Sequence, residues 1–218
     1  MTCSSSWHVP SRLLACPACP RTMSLARWQL VAQAKKLGAD EQAQARHAEL
    51  VTTYFRQLTG AEKEDFMSLQ PAFAAVARQL KDPCRKADAL FFAALMPQVA
   101  NRVLESAAGM EQARATAAAA QCELELSYAY RHLAEVAEAR GNLAEAARLS
   151  DQSLALRRQL KFQVFLPYSL LQTANYADKL GDHRKAGAQR AEALALAQRL
   201  HLPAQEKAAQ EALAAVQR

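Results

Sequence analysis

The 218 residues suffice for one large domain or a repeat array, and a composition of 51% apolar and 22% charged residues with only 6 Gly and 8 Pro excludes disorder over most of the length and points to Ala-rich helices. The longest uncharged stretch, 16 residues from Phe162 to Ala177 with Pro167 inside it, is too short for a bilayer span, which needs roughly 20 apolar residues. Of the net charge of +6, residues 1–39 carry +5 with no acid, residues 40–122 sum to −1 and residues 123–218 to +2, so the body has mixed-sign, solvated faces and nucleic acid is not the expected partner.

Residues 1–22 stand apart from the rest. They hold three of the eight prolines, three of the five cysteines and the run Ser4 to Ser6, without helical periodicity and without the apolar core of a secretory signal. They read as a disordered tail, or as a stretch upstream of a true start at Met23. Cys16-Pro-Ala-Cys19 with Cys3 and His8 offers thiolate and imidazole ligands, but a lone pair at this spacing is weak ground for zinc, and no metal or cofactor is expected. An odd count of five cysteines makes no disulfide framework. Cys84 and Cys122 are therefore expected as free thiols, packed in helices as small apolar groups in a reducing cytoplasm.

Residues 23–122 read as an N-terminal helical segment, either degenerate repeats or a docked bundle. Leu30, Val31 and Leu37 mark a first helix ended by Gly38. Asp40 is the expected N-cap of a second, which sets Leu50, Val51, Tyr54, Phe55 and Leu58 at steps of three and four and stops at Gly60. A third runs from Glu62 to Leu80 with a bend or break at Pro71. Asp82-Pro83 restarts the helix, cap followed by a first-turn proline, and Pro97 should kink or divide it before Gly109. From Met110 to Arg140 no Gly or Pro intervenes, and a turn is expected near Gln121 to Glu125.

Slid against itself by 40 residues, the window Leu126–Leu160 matches Leu166–Leu200 at 10 of 35 positions, among them Ala134, Gly141, Ala146 and Leu154. The matches fall at helical spacing around one Gly, with small residues where two helices would touch. Each unit reads as helix, turn at Gly141-Asn142 or Gly181-Asp182, then a second helix.

With Ala134, Gly141, Ala146 and Ser153-Leu154, and again Ala174, Gly181, Ala186 and Ala193-Leu194, residues 123–218 resemble the tetratricopeptide repeat family. The period of 40 exceeds the usual 34 of that family, its second-helix aromatic is Ser150 or Arg190 here, and its closing proline is absent. The resemblance implies an all-α fold, a helical-hairpin solenoid wound as a right-handed superhelix, with a capping helix after Pro203. About three stacked units make an adequate core, so residues 25–122 should supply further pairs.

The resemblance also implies a non-catalytic scaffold that binds a protein or peptide on the inner face of its first helices. By position that face carries Tyr128, Arg131, Glu135 and Glu138 in one unit and Tyr168, Leu171, Asn175 and Asp178 in the next. Asn175 would hold a peptide backbone or terminal carboxylate, and Arg131 could pair with a carboxylate. Leu171 stands where chaperone-binding relatives carry Lys. The plainer alternative is that the two tyrosines pack between repeats and the charges are simply solvated. Other readings are a regulator holding a small ligand or signal peptide, and a basic protein touching nucleic acid through its N-terminal stretch; a homo-oligomer is left open. No phosphate loop, zinc-helix motif or aspartate pair is present, and no catalytic residue is expected.

Overall fold

The computed structural model describes residues 38–216. The expectations for the tail, for a start at Met23, for the helix before Gly38 and for the set Cys3, His8, Cys16 and Cys19 lie outside the described residues. The chain divides into two units, residues 1–42 and 43–218. Of the first, the described part is Gly38 and the opening turn of α1 (Ala39–Leu58), where the Gln42 N–H donates to the Gly38 carbonyl at 3.0 Å. Asp40 lies within this turn rather than capping it.

The second unit continues α1 and adds α2 (Phe66–Gln79), α3 (Pro83–Val99), α4 (Ala107–Ala119), α5 (Glu123–Ala139), α6 (Leu143–Gln159), α7 (Leu166–Lys179), α8 (His183–Arg199) and α9 (Pro203–Val216), with no strand among the described residues. One-turn 3-10 segments at Val103–Ser106 and Gln163–Phe165 lead into α4 and α7. Two expectations about prolines are corrected. Pro71 gives up one backbone bond on the exposed side of α2, whose other side buries Phe66, Leu69, Phe73 and Val76, and the helix runs on through it. Pro97 falls in the last turn of α3, which ends two residues later at Val99, so there is no helix left for it to divide.

From α3 onward the backbone turns at one fixed interval. Asn101, Gln121, Gly141, Lys161, Gly181 and His201, each 20 residues after the last, have φ of 60°, 56°, 78°, 54°, 84° and 52°. At each of them the same two backbone bonds close the preceding helix. The Gly141 N–H donates to the Glu138 carbonyl at 2.8 Å and the Asn142 N–H to the Ala137 carbonyl at 2.9 Å. The equivalent pair recurs at the other five ends, as a Schellman motif requires. Next to two of these turns a side chain caps the following helix: Asn142 accepts from the Glu145 N–H and Asp182 from the Lys185 N–H. Asp82 does the same for the Arg85 N–H at the start of α3, ahead of the first of these turns.

The register therefore extends beyond the two units legible in the sequence. Ala94, Ala134 and Ala174 lie 40 residues apart and are buried, as are Ser106, Ala146 and Ala186, and Ala113, Ser153 and Ala193. α3–α4, α5–α6 and α7–α8 are three hairpins in one register, with α1–α2 packed before them and α9 after. A methyl group on Gly109 would stand 3.1 Å from the Ala94 Cβ, so the glycine lets α4 lie close on α3.

Two main apolar cores hold the stack, beside small clusters around Ala87, Ala117 and Cys122 and around Ala174, Ala177 and Ala186. One joins α1 to α6, and takes in Tyr176 of α7, around Phe73, Phe92, Met96, Met110 and Leu133; the other joins α6 to α9 around Leu154, Leu170, Leu196 and Ala209. A disulfide links Cys84 to Cys122, which corrects the expectation of two free thiols. It ties the first turn of α3 to the turn before α5 and removes the cysteine-based argument for a reducing compartment. No helix among the described residues is long and apolar enough to cross a membrane.

Candidate functional site

The first helices of the hairpins stand side by side and touch through polar side chains as well as through the cores. Between α1 and α3, His47 Nε2 lies 3.3 Å from Asp88 Oδ2 and its ring packs edge-on to Phe92. Between α3 and α5, the Gln98 amide donates to the His132 carbonyl at 3.0 Å, and Phe91 stacks at a tilt on Tyr128. Between α5 and α7, Gln172 reaches the Arg131 carbonyl at 3.3 Å and Glu135 Oε1 at 3.4 Å, while the Tyr176 hydroxyl donates to Glu138 Oε2 at 3.0 Å.

This last junction leaves an open depression of about 310 Å³. Helical steps of three and four bring six of the eight sequence-predicted residues to its wall: Arg131, Glu135 and Glu138 from α5, with Tyr168, Leu171 and Asn175 from α7. Gln172, Tyr176 and Lys179 complete it, and sequence reasoning did not single them out. Their signal was present, since each follows a predicted residue by one or four positions on α7. Lys179, two turns beyond Leu171, pairs with Glu138 across the depression.

Charge in the depression is balanced. Arg131 lies 3.4 Å from Glu135, and burial of the Glu135 carboxyl is outweighed by the His132 ring and Arg131 beside it, which hold its pKa below the usual carboxylate range. The Tyr176 hydroxyl is pushed well above its ordinary pKa by burial and then by Glu138, so it stays a donor. Tyr168 is 39% exposed at the rim, and Leu160, Val164 and Phe165 of the preceding turn are exposed as well. The patch is amphipathic: apolar side chains at the α6–α7 turn, paired charges and amides along the two helices.

The other two predicted residues lie elsewhere. Tyr128 packs on Phe91, with Phe162 at 6.3 Å and the Arg157 guanidinium 5.5 Å from its ring centre, and burial, then Asp88, raises its pKa to about 12. Asp178 turns to its own hairpin, where it pairs with Arg190 and with His183. A wider depression of about 420 Å³ opens among α4, α5 and α6, but there Arg114 and Arg148 are each held by a glutamate one turn away on their own helix, Glu111 and Glu145.

The sequence matches no family model and none of the curated proteins. Solved structures do resemble it. BtubC (BKLC) from P. vanneervenii superposes with a TM-score of 0.66 at 19% identity, over 86% of this chain and 82% of that one. The aspartyl phosphate phosphatase F of Bacillus subtilis gives 0.64 at 12% identity, over 80% of this chain but only 45% of the phosphatase. A kinesin-light-chain-like protein of Podosopora anserina with nearly identical TPR-like repeats gives 0.59 at 17% identity, over 79% and 84% of the two chains. The chain shares the fold of these structures, an all-α stack of helical hairpins of the tetratricopeptide-like kind.

Proposed function

We propose that this protein is an interaction scaffold and that the depression between α5 and α7 receives a segment of a partner protein. One observation carries the reading: six residues spaced for a single face, Arg131, Glu135, Glu138, Tyr168, Leu171 and Asn175, line one open, amphipathic depression. Its charges cancel within the wall, so a strongly charged ligand gains little there. A peptide with an apolar side chain for Tyr168 and Leu171 and a free backbone amide or carbonyl for Asn175 and Gln172 fits better. The repeat fold supports the same reading, since each hairpin offers a fresh solvent-facing side while its neighbours bury the rest.

Peptides selected from a random displayed library on the whole protein test it. Such peptides should bind the native chain and lose at least tenfold in affinity for the double variant Arg131→Glu, Asn175→Ala, whose helical circular dichroism stays unchanged. Peptides that bind both forms equally would place the docking surface outside α5 and α7.

A further inference from the structure

Beside the cysteine pair of α3 and α5 stands a third potential ligand. Cys84 lies in the first turn of α3, Cys122 precedes the first residue of α5, and Glu125 follows three positions later on the same side of that helix. One atom from each, the two Sγ and a carboxylate oxygen, all fall within 4.8 Å of one another. Among the described residues this is the one such group of cysteine, histidine and carboxylate side chains. Cys122 is 3% exposed, whereas Cys84 and Glu125 are half-buried, so the group opens to solvent on one side.

While the disulfide is closed, its sulfurs are spent on each other. Opened, they become two thiols at the starts of two helices, where the partial positive charge of the helix terminus favours the thiolate. Two thiolates and one carboxylate suit a borderline-soft divalent ion in tetrahedral geometry, with the fourth position left to water. Asp82, whose charge acts on Glu125, adds negative potential near the group.

We propose that the reduced Cys84 and Cys122, together with Glu125, bind a zinc-class divalent cation, and that disulfide and metal are alternative clasps between the start of α3 and the start of α5. An external dithiol gives two electrons and two protons to the S–S bond and is itself oxidised to a disulfide, leaving two thiols on the protein. The cation then displaces both thiol protons to solvent and takes the two sulfurs and the carboxylate oxygen. A small-molecule disulfide, taking two electrons from the two thiolates and two protons from solvent and leaving as two thiols, re-forms the S–S bond and releases the cation.

The test uses the full chain carrying Cys3→Ser, Cys16→Ser and Cys19→Ser, so that only the two relevant thiols remain. Reduced with dithiothreitol, freed of it anaerobically and titrated with Co²⁺, this protein should develop a sulfur-to-cobalt charge-transfer band that saturates at one ion per chain, disappears on addition of Zn²⁺ and never forms in the air-oxidised sample. Glu125→Gln should weaken Co²⁺ binding about tenfold or more, and Cys84→Ser should abolish the band, with helicity checked by circular dichroism in both. No band in the reduced protein, a band in the oxidised one, or an unchanged affinity in Glu125→Gln would each overturn the site; the first two need no variant at the site to fold.

Discussion

His132 shows how one ring can be fixed by what its neighbours are able to donate. A guanidinium only donates, so His132 Nε2 accepts from Arg131 at 2.8 Å, and the ring proton sits on Nδ1, 2.6 Å from Gln98 Oε1. Burial, with Arg131 beside it, takes the ring's pKa down to about 4 against the opposing pull of Glu135. The unfolded chain binds this proton near 6.5, so between pH 6.5 and 4 the unfolded state holds a proton that the fold refuses, and stability falls as the pH drops through that window. His47, with a pKa of about 4 from burial and then Arg85, acts in the same sense, while Asp88, raised to about 7 by burial and then Glu125, acts in the opposite one. Comparing the native protein with His132→Gln isolates one ring. Between pH 7 and pH 5 the variant should lose about 2 kcal/mol less stability in urea titrations, and equal losses would show that His132 protonates freely in the fold. Arg157 is a second such residue. Only 2% exposed, it has the Ser169 hydroxyl at 2.5 Å and the rings of Tyr128 and Phe165 around it, but no carboxylate. The positions 40 residues to either side are buried alanines, Ala117 and Ala197. Arg157→Ala should cost on the order of 3 kcal/mol, chiefly through the cavity, since the Ser169 hydroxyl loses a donor but keeps its bond to the Phe165 carbonyl. Arg157→Met, which fills the space and removes a desolvated charge, should recover most of that in the same denaturation experiment.

At the scale of the element, the six left-handed turns differ only in the residue that occupies them. Gly141 and Gly181 take the conformation without steric cost, whereas Gln121, Lys161 and His201 take it with a Cβ in place. Nothing lies within 4 Å of a Cβ added at Gly181, so Gly181→Ala reads backbone strain alone and should destabilise by about 1 kcal/mol. The converse change, Lys161→Gly, should stabilise by about the same amount, since the φ of 54° is retained and its strain relieved. A pair of chemical denaturation curves checks both. The asymmetry also explains what was legible beforehand. Two hairpins could be read from sequence because glycine marks the turn inside each; α3–α4 could not, because Asn101 occupies the equivalent place and only the backbone reveals the common interval. The disulfide was invisible for a related reason: its cysteines are 38 residues apart and meet only because a hairpin folds between them. Reducing it releases that loop in the unfolded chain and should lower stability by up to about 4 kcal/mol, read as a shift of the urea midpoint with dithiothreitol.

For the whole molecule, period and register along the row of first helices put six of the eight candidate residues on one wall. Tyr128 and Asp178 escaped that logic: which neighbour a side chain meets, Phe91 and Arg157 for the one, Arg190 for the other, depends on packing between hairpins that one-dimensional periodicity does not encode. Gln172 and Tyr176 were passed over for the converse reason, since their contacts lie across on α5, 37 and 38 residues away. The same one-dimensional build governs cooperativity. Each hairpin touches only its neighbours, so stability is a sum of local terms, and the two cores divide it unevenly. The larger core draws most of its aromatic rings from α1 to α3 and reaches α6 and Tyr176 of α7, whereas the smaller rests on Leu154, Leu166, Leu170, Ala193, Leu196 and Ala209. Leu170 is fully buried at the centre of that smaller core, and truncation to Ala should remove about 3 kcal/mol there. Because the coupling between hairpins is local, the loss should fall on α7, α8 and α9. Hydrogen exchange of Leu170→Ala should show these three helices opening at a lower free energy than in the native chain, while amides of α3 and α5 keep their protection. Uniform loss across all helices would mean that the two cores unfold as one cooperative unit, and that the C-terminal hairpin is not the weaker part of the stack.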